Sequence, residues 1–412
     1  MQSKLVRKII LGLSAVGPGL FLIGYNIGTG SVTTMAKAGA EHGMSLFWAL
    51  VLSSIFTFVL MVAYGQVTLV TGKTALYNFK EQFRIGKILA IYILTALIIG
   101  ELLALMGIMG IVSDLLKEGS RLIFDGTGFS TFWITFVLVV GLYALFWFGR
   151  YQVFEKILTV FVILMGICFI IVFFMVKPSF SAIVSGLVPQ IPKKPGAFAL
   201  IAATAGTTCS AAVFIMRSVV VAEKGWTIDN LKTEKRDAFV SASMMLFLSG
   251  IIMAVSAGTL YVMGLDLTNT VDMIYLFEPL GGKPAAFILI LGITGAGLST
   301  VFPIILIAPW LISDYTGRPR DIHSPLYRIL GFISILFCFG MQFMEKRPPA
   351  MMILSQAFQA TILPAVVLPI MVLINRKEVM KSNVATRAMN VGLVAVLIFS
   401  LMTTYLALAE LF

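Results

Sequence analysis

The chain has 412 residues; 59% of them are apolar or aromatic and only 12% carry a formal charge, giving a mean hydropathy of +1.00. Soluble domains hold about 45–50% apolar residues, so an ordinary water-soluble protein is excluded. The net charge of +11 would suggest a nucleic-acid binder in a soluble domain, but in so apolar a chain it poses a topological question: on which side of a bilayer do the Lys and Arg lie?

A bilayer core about 30 Å thick takes roughly 20 apolar residues per helix, and 59% of 412 residues is enough for about ten or eleven spans. In chain order, apolar runs between charged or Pro/Gly-rich breaks lie near 9–36, 43–71, 86–113, 129–149, 153–176, 197–222, 238–263, 284–312, 326–343, 350–374 and 388–411. Lys4, Arg7 and Lys8 precede the first run without a small-residue cleavage pattern after it, which reads as a first helix rather than a signal peptide. With the N-terminus inside, nineteen Lys and Arg fall on cytoplasmic segments and nine on outer ones. That bias predicts a cytoplasmic N-terminus and, over an odd number of spans, an external C-terminus. The loops are too short for a soluble domain, so the predicted unit is one multi-pass bundle over 1–412, whose short loops and tails point to a bacterial inner (plasma) membrane. Cys168, Cys209 and Cys338 all sit in apolar runs and neither His42 nor His323 has a Cys or His at ligand spacing, so no disulfide framework, structural zinc or cofactor is expected. No catalytic dyad is apparent, and an enzyme is not expected.

Two runs differ from the rest. The first carries Gly24-Tyr25-Asn26-Ile27-Gly28-Thr29-Gly30-Ser31 at mid-span, and the sixth carries Thr204-Ala205-Gly206-Thr207-Thr208-Cys209-Ser210-Ala211-Ala212. Glycine and small hydroxyl residues weaken a helix there and free backbone groups. Unwound backbone at membrane depth is tolerated only where it is buried in protein or lines a cavity. Close helix packing is the alternative explanation for one such run. Two of them, five spans apart, match an inverted-repeat transporter with a midplane site, with repeats at about 9–176 and 197–374 and an extra helix at about 388–411.

Glu101, inside Leu97-Ile98-Ile99-Gly100-Glu101-Leu102-Leu103-Ala104, is far from either end of its run. An intramembrane carboxylate faces the bundle interior by default and marks a proton or ion path. Arg217, in the sixth run, is either a gate or a side chain that snorkels to the cytoplasmic interface.

The residues Gly17-Pro18-Gly19, Ala38-Gly39-Ala40 with Gly43, and Val70-Thr71-Gly72-Lys73 resemble the first two helices of Nramp-type divalent metal transporters. Gly149-Arg150 with Glu155-Lys156, Gly297-Leu298-Ser299-Thr300, and Leu354-Ser355-Gln356 with Pro364 resemble the same family's fifth, eighth and tenth helices. The resemblance implies an all-α, LeuT-like fold of two inverted five-helix repeats plus one helix, with alternating access around broken helices one and six. It also implies losses. Aligned on Ala38-Gly39-Ala40, the family's Asp-Pro-Gly-Asn falls on Gly28-Thr29-Gly30-Ser31. Aligned on Gly206, its Met-Pro-His falls on Ser210-Ala211-Ala212, and a further histidine falls on Arg217. Glu101 matches the first of two third-helix acids, the second falls on Ala104, and Arg328 matches an arginine of the same proton relay.

The expected substrate residues are therefore Asn26, Gly28, Thr29, Ser31, Thr207, Ser210, Ala211 and Gln356, with Glu101 and Arg328 for proton coupling and Arg217 as a gate. All the substrate ligands are neutral, and soft ligands that select transition metals are gone. A wider hydroxyl-lined cavity suits a small neutral polar solute such as a sugar, with Tyr25, Phe214 and Trp310 as stacking faces. The alternative is a divalent metal cation (Mn²⁺, Fe²⁺ or Mg²⁺), bound dehydrated or with its waters; a sensor that has lost transport is a third reading. Expected partners are the solute, protons and the lipid bilayer, with neither nucleic acid nor an obligate protein partner.

Overall fold

A computed structural model describes residues 28–124, 126–148, 151–318, 321–345 and 347–410, and among these the regular structure is helical throughout. The helices are α1 (Thr29–His42), α2 (Phe47–Thr71), α3 (Ala75–Gln82), α4 (Gly86–Phe124), α5 (Thr131–Phe148), α6 (Tyr151–Val176), α7 (Phe180–Ser185), α8 (Ala197–Thr208), α9 (Ala211–Glu223), α10 (Leu231–Gly258), α11 (Gly282–Thr316), α12 (Pro325–Leu336), α13 (Pro348–Asn375), α14 (Lys377–Met380) and α15 (Arg387–Ala409). Nine helical stretches among the described residues are long and apolar enough to cross a membrane, counting α8 with α9 as one. With α6 these match ten of the eleven predicted spans; the first run is described only from Gly28, where it leads into α1. The first half of that run, with Asn26 and Tyr25, lies outside the described residues.

The centre of the bundle is built where α4 and α8 each pack on α13, α4 on α11, and α1 and α2 on α10. Peripheral α5 keeps Trp133, Phe136 and Val137 exposed, as a lipid-facing surface requires. Close approach at the centre depends on glycine. A Cβ on Gly206 of α8 would collide with the Gln356 carbonyl of α13, and one on Gly39 of α1 with the Met253 carbonyl of α10. At a chain reversal, Gly72 caps α2 at φ 64° and donates its N–H to the Thr68 carbonyl.

Three boundaries depart from the apolar pattern. α4 runs about three turns beyond the expected end at 113, because Asp114, Lys117, Glu118 and Arg121 continue as a polar helix; Arg121 meets Glu118 at 3.5 Å. α10 starts at Leu231 rather than 238: its charged first turns hold Glu234 and Asp237, which are buried rather than solvated. The ninth run ends as 3₁₀ helix over Phe337–Phe343.

Between α2 and α4 the short α3 starts at Thr74, whose Oγ1 accepts from Tyr77 N–H and donates to Asp314 Oδ2 of α11 at 2.8 Å. The N–H of Ala75 donates to Ser218 Oγ of α9 at 2.9 Å. The start of α3 thus ties the middle of α9 to the C-terminal end of α11.

Candidate substrate site

The sixth run is broken, as its small residues predict. α8 stops at Thr208, Cys209 leaves the helix at φ −107°, ψ 49°, and Ser210 at φ −69°, ψ 132° starts α9. Ser at this position would normally accept from the new helix's N–H groups. Here it caps nothing: its Oγ donates instead to Gln359 Oε1 of α13, at 2.6 Å. On the other side of the site α1 begins at Thr29 with Gly28 as its cap residue in extended conformation. Gly28 lies so close to Thr300 of α11 that a Cβ would strike Thr300 Oγ1. Ser31 Oγ and Thr207 Oγ1 share a hydrogen bond of 2.9 Å, which joins α1 to the last turn of α8.

A cavity of about 30 Å³ lies where these elements meet. One water-sized sphere needs about 10–15 Å³ on this measure, so the cavity holds two or three waters or one small ion with part of its hydration. Its wall includes Gly28, Gly30 and Ser31 of the first helix, Thr207 and Ser210 at the α8–α9 break, Thr300 of α11, and Gln356 and Gln359 of α13. Glu101 of α4 also lines it, with Ala104 one turn further along. The carboxylate is buried and Oε1 accepts from Gln359 Nε2 at 3.0 Å. The Met352 thioether is nearby but engaged, 3.5 Å from Gln356 Nε2 and 3.7 Å from Ser355 Oγ.

The structure places Gly28, Ser31, Thr207, Ser210 and Gln356 on the wall of one cavity, together with Glu101. Thr29 and Ala211 are buried beside it but are not part of its wall. Thr29 Oγ1 instead faces Gly297 of α11. The Arg328 guanidinium lies 3.8 Å from the Trp147 ring centroid of α5, and Gln359 Nε2 donates to the Glu101 carboxylate. The expected stacking faces are used elsewhere. Phe214 stacks on Tyr64 with centroids 5.8 Å apart, and Trp310 packs against the cluster of Phe146, Phe302, Leu306 and Tyr327.

Arg217 does not snorkel. It is fully buried, with Nε and Nη2 on Glu234 Oε1 at 2.9 and 2.8 Å and Nη1 on Asp237 Oδ2 at 2.5 Å. The ion pairs bind α9 to the start of α10, and Gly65 of α2 leaves room for the Glu234 carboxylate. Sequence reading missed both acids because they fall in a stretch with Lys232, Lys235 and Arg236 that reads as a solvated loop. It missed Gln359 as well. The signal was there in Gln356-Ala357-Phe358-Gln359, two amides three residues apart on one face of an apolar helix.

Comparison with known proteins adds the decisive observation: the family described as natural resistance-associated macrophage protein-like (Nramp) matches residues 19–410. The chain belongs to the Nramp family. This Nramp chain is 24% identical over 412 residues to the divalent metal cation transporter MntH of Pectobacterium carotovorum subsp. carotovorum, covering 97% of its own length and 95% of the relative's. The crystal structure of the Eremococcus coleocola manganese transporter with an aromatic bis-isothiourea compound superposes with a TM-score of 0.72 at 14% identity, over 99% of this chain and 87% of that one. Mhp1, a nucleobase-cation-symport-1 family transporter solved with bromovinylhydantoin bound, gives 0.61 at 16% identity over 96% and 93%. The Nramp chain therefore has the LeuT-like transporter fold, as a multi-pass membrane protein.

Proposed function

We propose that this Nramp chain is a secondary transporter of a divalent cation held by oxygen ligands and carried with part of its water shell. The observation that carries this reading is the position of Glu101: one carboxylate on the wall of a cavity of about 30 Å³. Stripping water from a doubly charged ion for a wholly neutral site would be poorly repaid, and Glu101 supplies the missing negative charge from α4 rather than from a broken helix. The other wall groups are hydroxyl and amide oxygens, which suit hard ions of the Mg²⁺ and Mn²⁺ type better than soft ones. The names of the relatives support a metal substrate. Glu101 is also the group on which proton coupling would rest, since a carboxylate that binds the ion must release its proton first.

A second reading, a small neutral polar solute, is favoured by the absence of acid, thioether and imidazole from the breaks themselves, residues 28–31 and 204–212. The small cavity and the engagement of Phe214 and Trp310 with other rings count against it. The inverted repeats at about 9–176 and 197–374, the cytoplasmic N-terminus and the external C-terminus belong to the same proposal. Uptake into proteoliposomes of Mn²⁺, Mg²⁺ and a panel of labelled sugars separates the readings. Saturable cation uptake is the expected result, and sugar uptake without cation uptake would overturn it.

A further inference from the structure

The geometry points to Gln359 as the residue that gives the cavity its polarity, orienting Ser210 and Glu101 so that both present lone pairs to a cation; this rests on the cation reading above. Gln359 is buried. Its Oε1 accepts the Ser210 proton at 2.6 Å and its Nε2 donates to Glu101 Oε1 at 3.0 Å. A serine hydroxyl has one proton and two lone pairs. Because that proton is committed to Gln359, the lone pairs are what Ser210 offers to the cavity. The same amide spends an N–H on the carboxylate, which fixes the head group on the cavity wall. One side chain of α13 thereby couples the break between α8 and α9 to the carboxylate of α4.

A carboxamide does this where an aliphatic side chain of equal reach would not. Without Gln359, Ser210 Oγ can turn back to cap α9, the role its position favours, and the buried Glu101 carboxylate loses a hydrogen-bond donor. Among the described residues lining the cavity, Glu101 is the one titratable side chain. Cys209 is the other titratable group at the break, buried beside Ser210 and hydrogen-bonded with Thr57 of α2.

Two variants test the assignment by Mn²⁺ and Mg²⁺ uptake into proteoliposomes over a range of pH. Gln359→Leu keeps the volume but neither hydrogen bond, and is expected to raise KM for the cation about tenfold, the equivalent of roughly 1.4 kcal/mol, with a smaller change in kcat. Gln359→Glu discriminates further. When protonated, a glutamic acid reproduces both bonds, accepting from Ser210 through its carbonyl and donating to Glu101 through its hydroxyl; when ionised it cannot donate and repels Glu101. Its uptake is therefore expected to recover toward wild type as pH falls, a displaced profile that a merely structural role would not produce. Wild-type KM in the leucine variant, or a wild-type pH profile in the glutamate variant, would overturn the assignment of Gln359. If the wild-type protein moves neither cation, the cation reading and this inference fall together. Should Gln359→Leu fail to fold, the pH profile of Gln359→Glu decides alone.

Discussion

At the residue scale, function concentrates in side chains that an apolar bundle would otherwise avoid. Glu101→Gln keeps the shape and the possibility of a hydrogen bond to Gln359 but removes the charge. Cation uptake is expected to fall by at least about tenfold, corresponding to the roughly 1.4 kcal/mol or more that one charge contributes in a partly dry site. Uptake of either ion at the wild-type rate in this variant would remove the carboxylate from the site. Arg217 makes a different prediction. Removing one member of a buried ion pair leaves uncompensated charge and costs about 3–5 kcal/mol; Arg217→Met strands Glu234 and Asp237 in the interior. Loss of folded protein in a thermal-denaturation series in detergent is the expected outcome, and a melting curve equal to wild type would mean that the acids find compensation elsewhere. Gly206 is a third case. Gly206→Val would drive its side chain into the Gln356 carbonyl, forcing α8 and α13 apart at a cost of about 1–3 kcal/mol, with both stability and uptake reduced.

At the element scale, the breaks explain why some of the site was legible in the sequence and some was not. Small residues at mid-span are a local signal, so irregular backbone within 24–31 and 204–212 was legible from the chain alone. Gly28, Ser31, Thr207 and Ser210 came from those stretches together with the family resemblance. Which side chains come to face a break is set by packing between helices far apart in sequence, and no local pattern reports it. Gln359 approaches Ser210 across 149 residues and Glu101 across 258. For the same reason the place of the Arg328 guanidinium over the Trp147 ring could not be read from the chain, and Phe214 was taken for a stacking face but is consumed by Tyr64. The helix ends show the limit of hydropathy: the polar turns of α4 beyond 113 and the charged start of α10 are helical because their charges are paired or solvated on one face. Restoring ligands to the two broken elements tests the register between them. The double variant Gly28→Asp, Ser210→Met should shift selectivity toward transition metals, since a thioether favours softer ions, read as competition of Cd²⁺ against Mg²⁺ uptake. No shift in that competition would place these positions away from the ion. The crowding of Gly28 against Thr300 makes Ser210→Met alone the milder test.

At the scale of the whole molecule, the composition and the charge have different meanings. The apolar fraction measures how many helices cross the bilayer. The +11 is spread over loops as a topological bias, and it carries no information about the substrate. The information on substrate lies in the few polar groups that face one another at the centre. A divalent ion at this site would touch elements from both proposed repeats: α1 and α4 from the first, the α8–α9 break, α11 and α13 from the second. Such a site can respond to one half of the bundle moving against the other, as alternating access requires. The orientation follows from the same account: cysteine substituted for Lys381 should be shielded from a membrane-impermeant thiol reagent in intact cells, and cysteine substituted for Lys194 should react. The opposite pattern would invert the proposed topology.

A cation in the cavity between Glu101, Ser210 and Gln356 is visible to anomalous diffraction from crystals of the protein soaked in Mn²⁺. An anomalous peak is expected within oxygen-coordination distance of the Glu101 carboxylate, lost in crystals of Glu101→Gln. A cavity that shows no such peak, or density for an organic solute in its place, would contradict the cation reading.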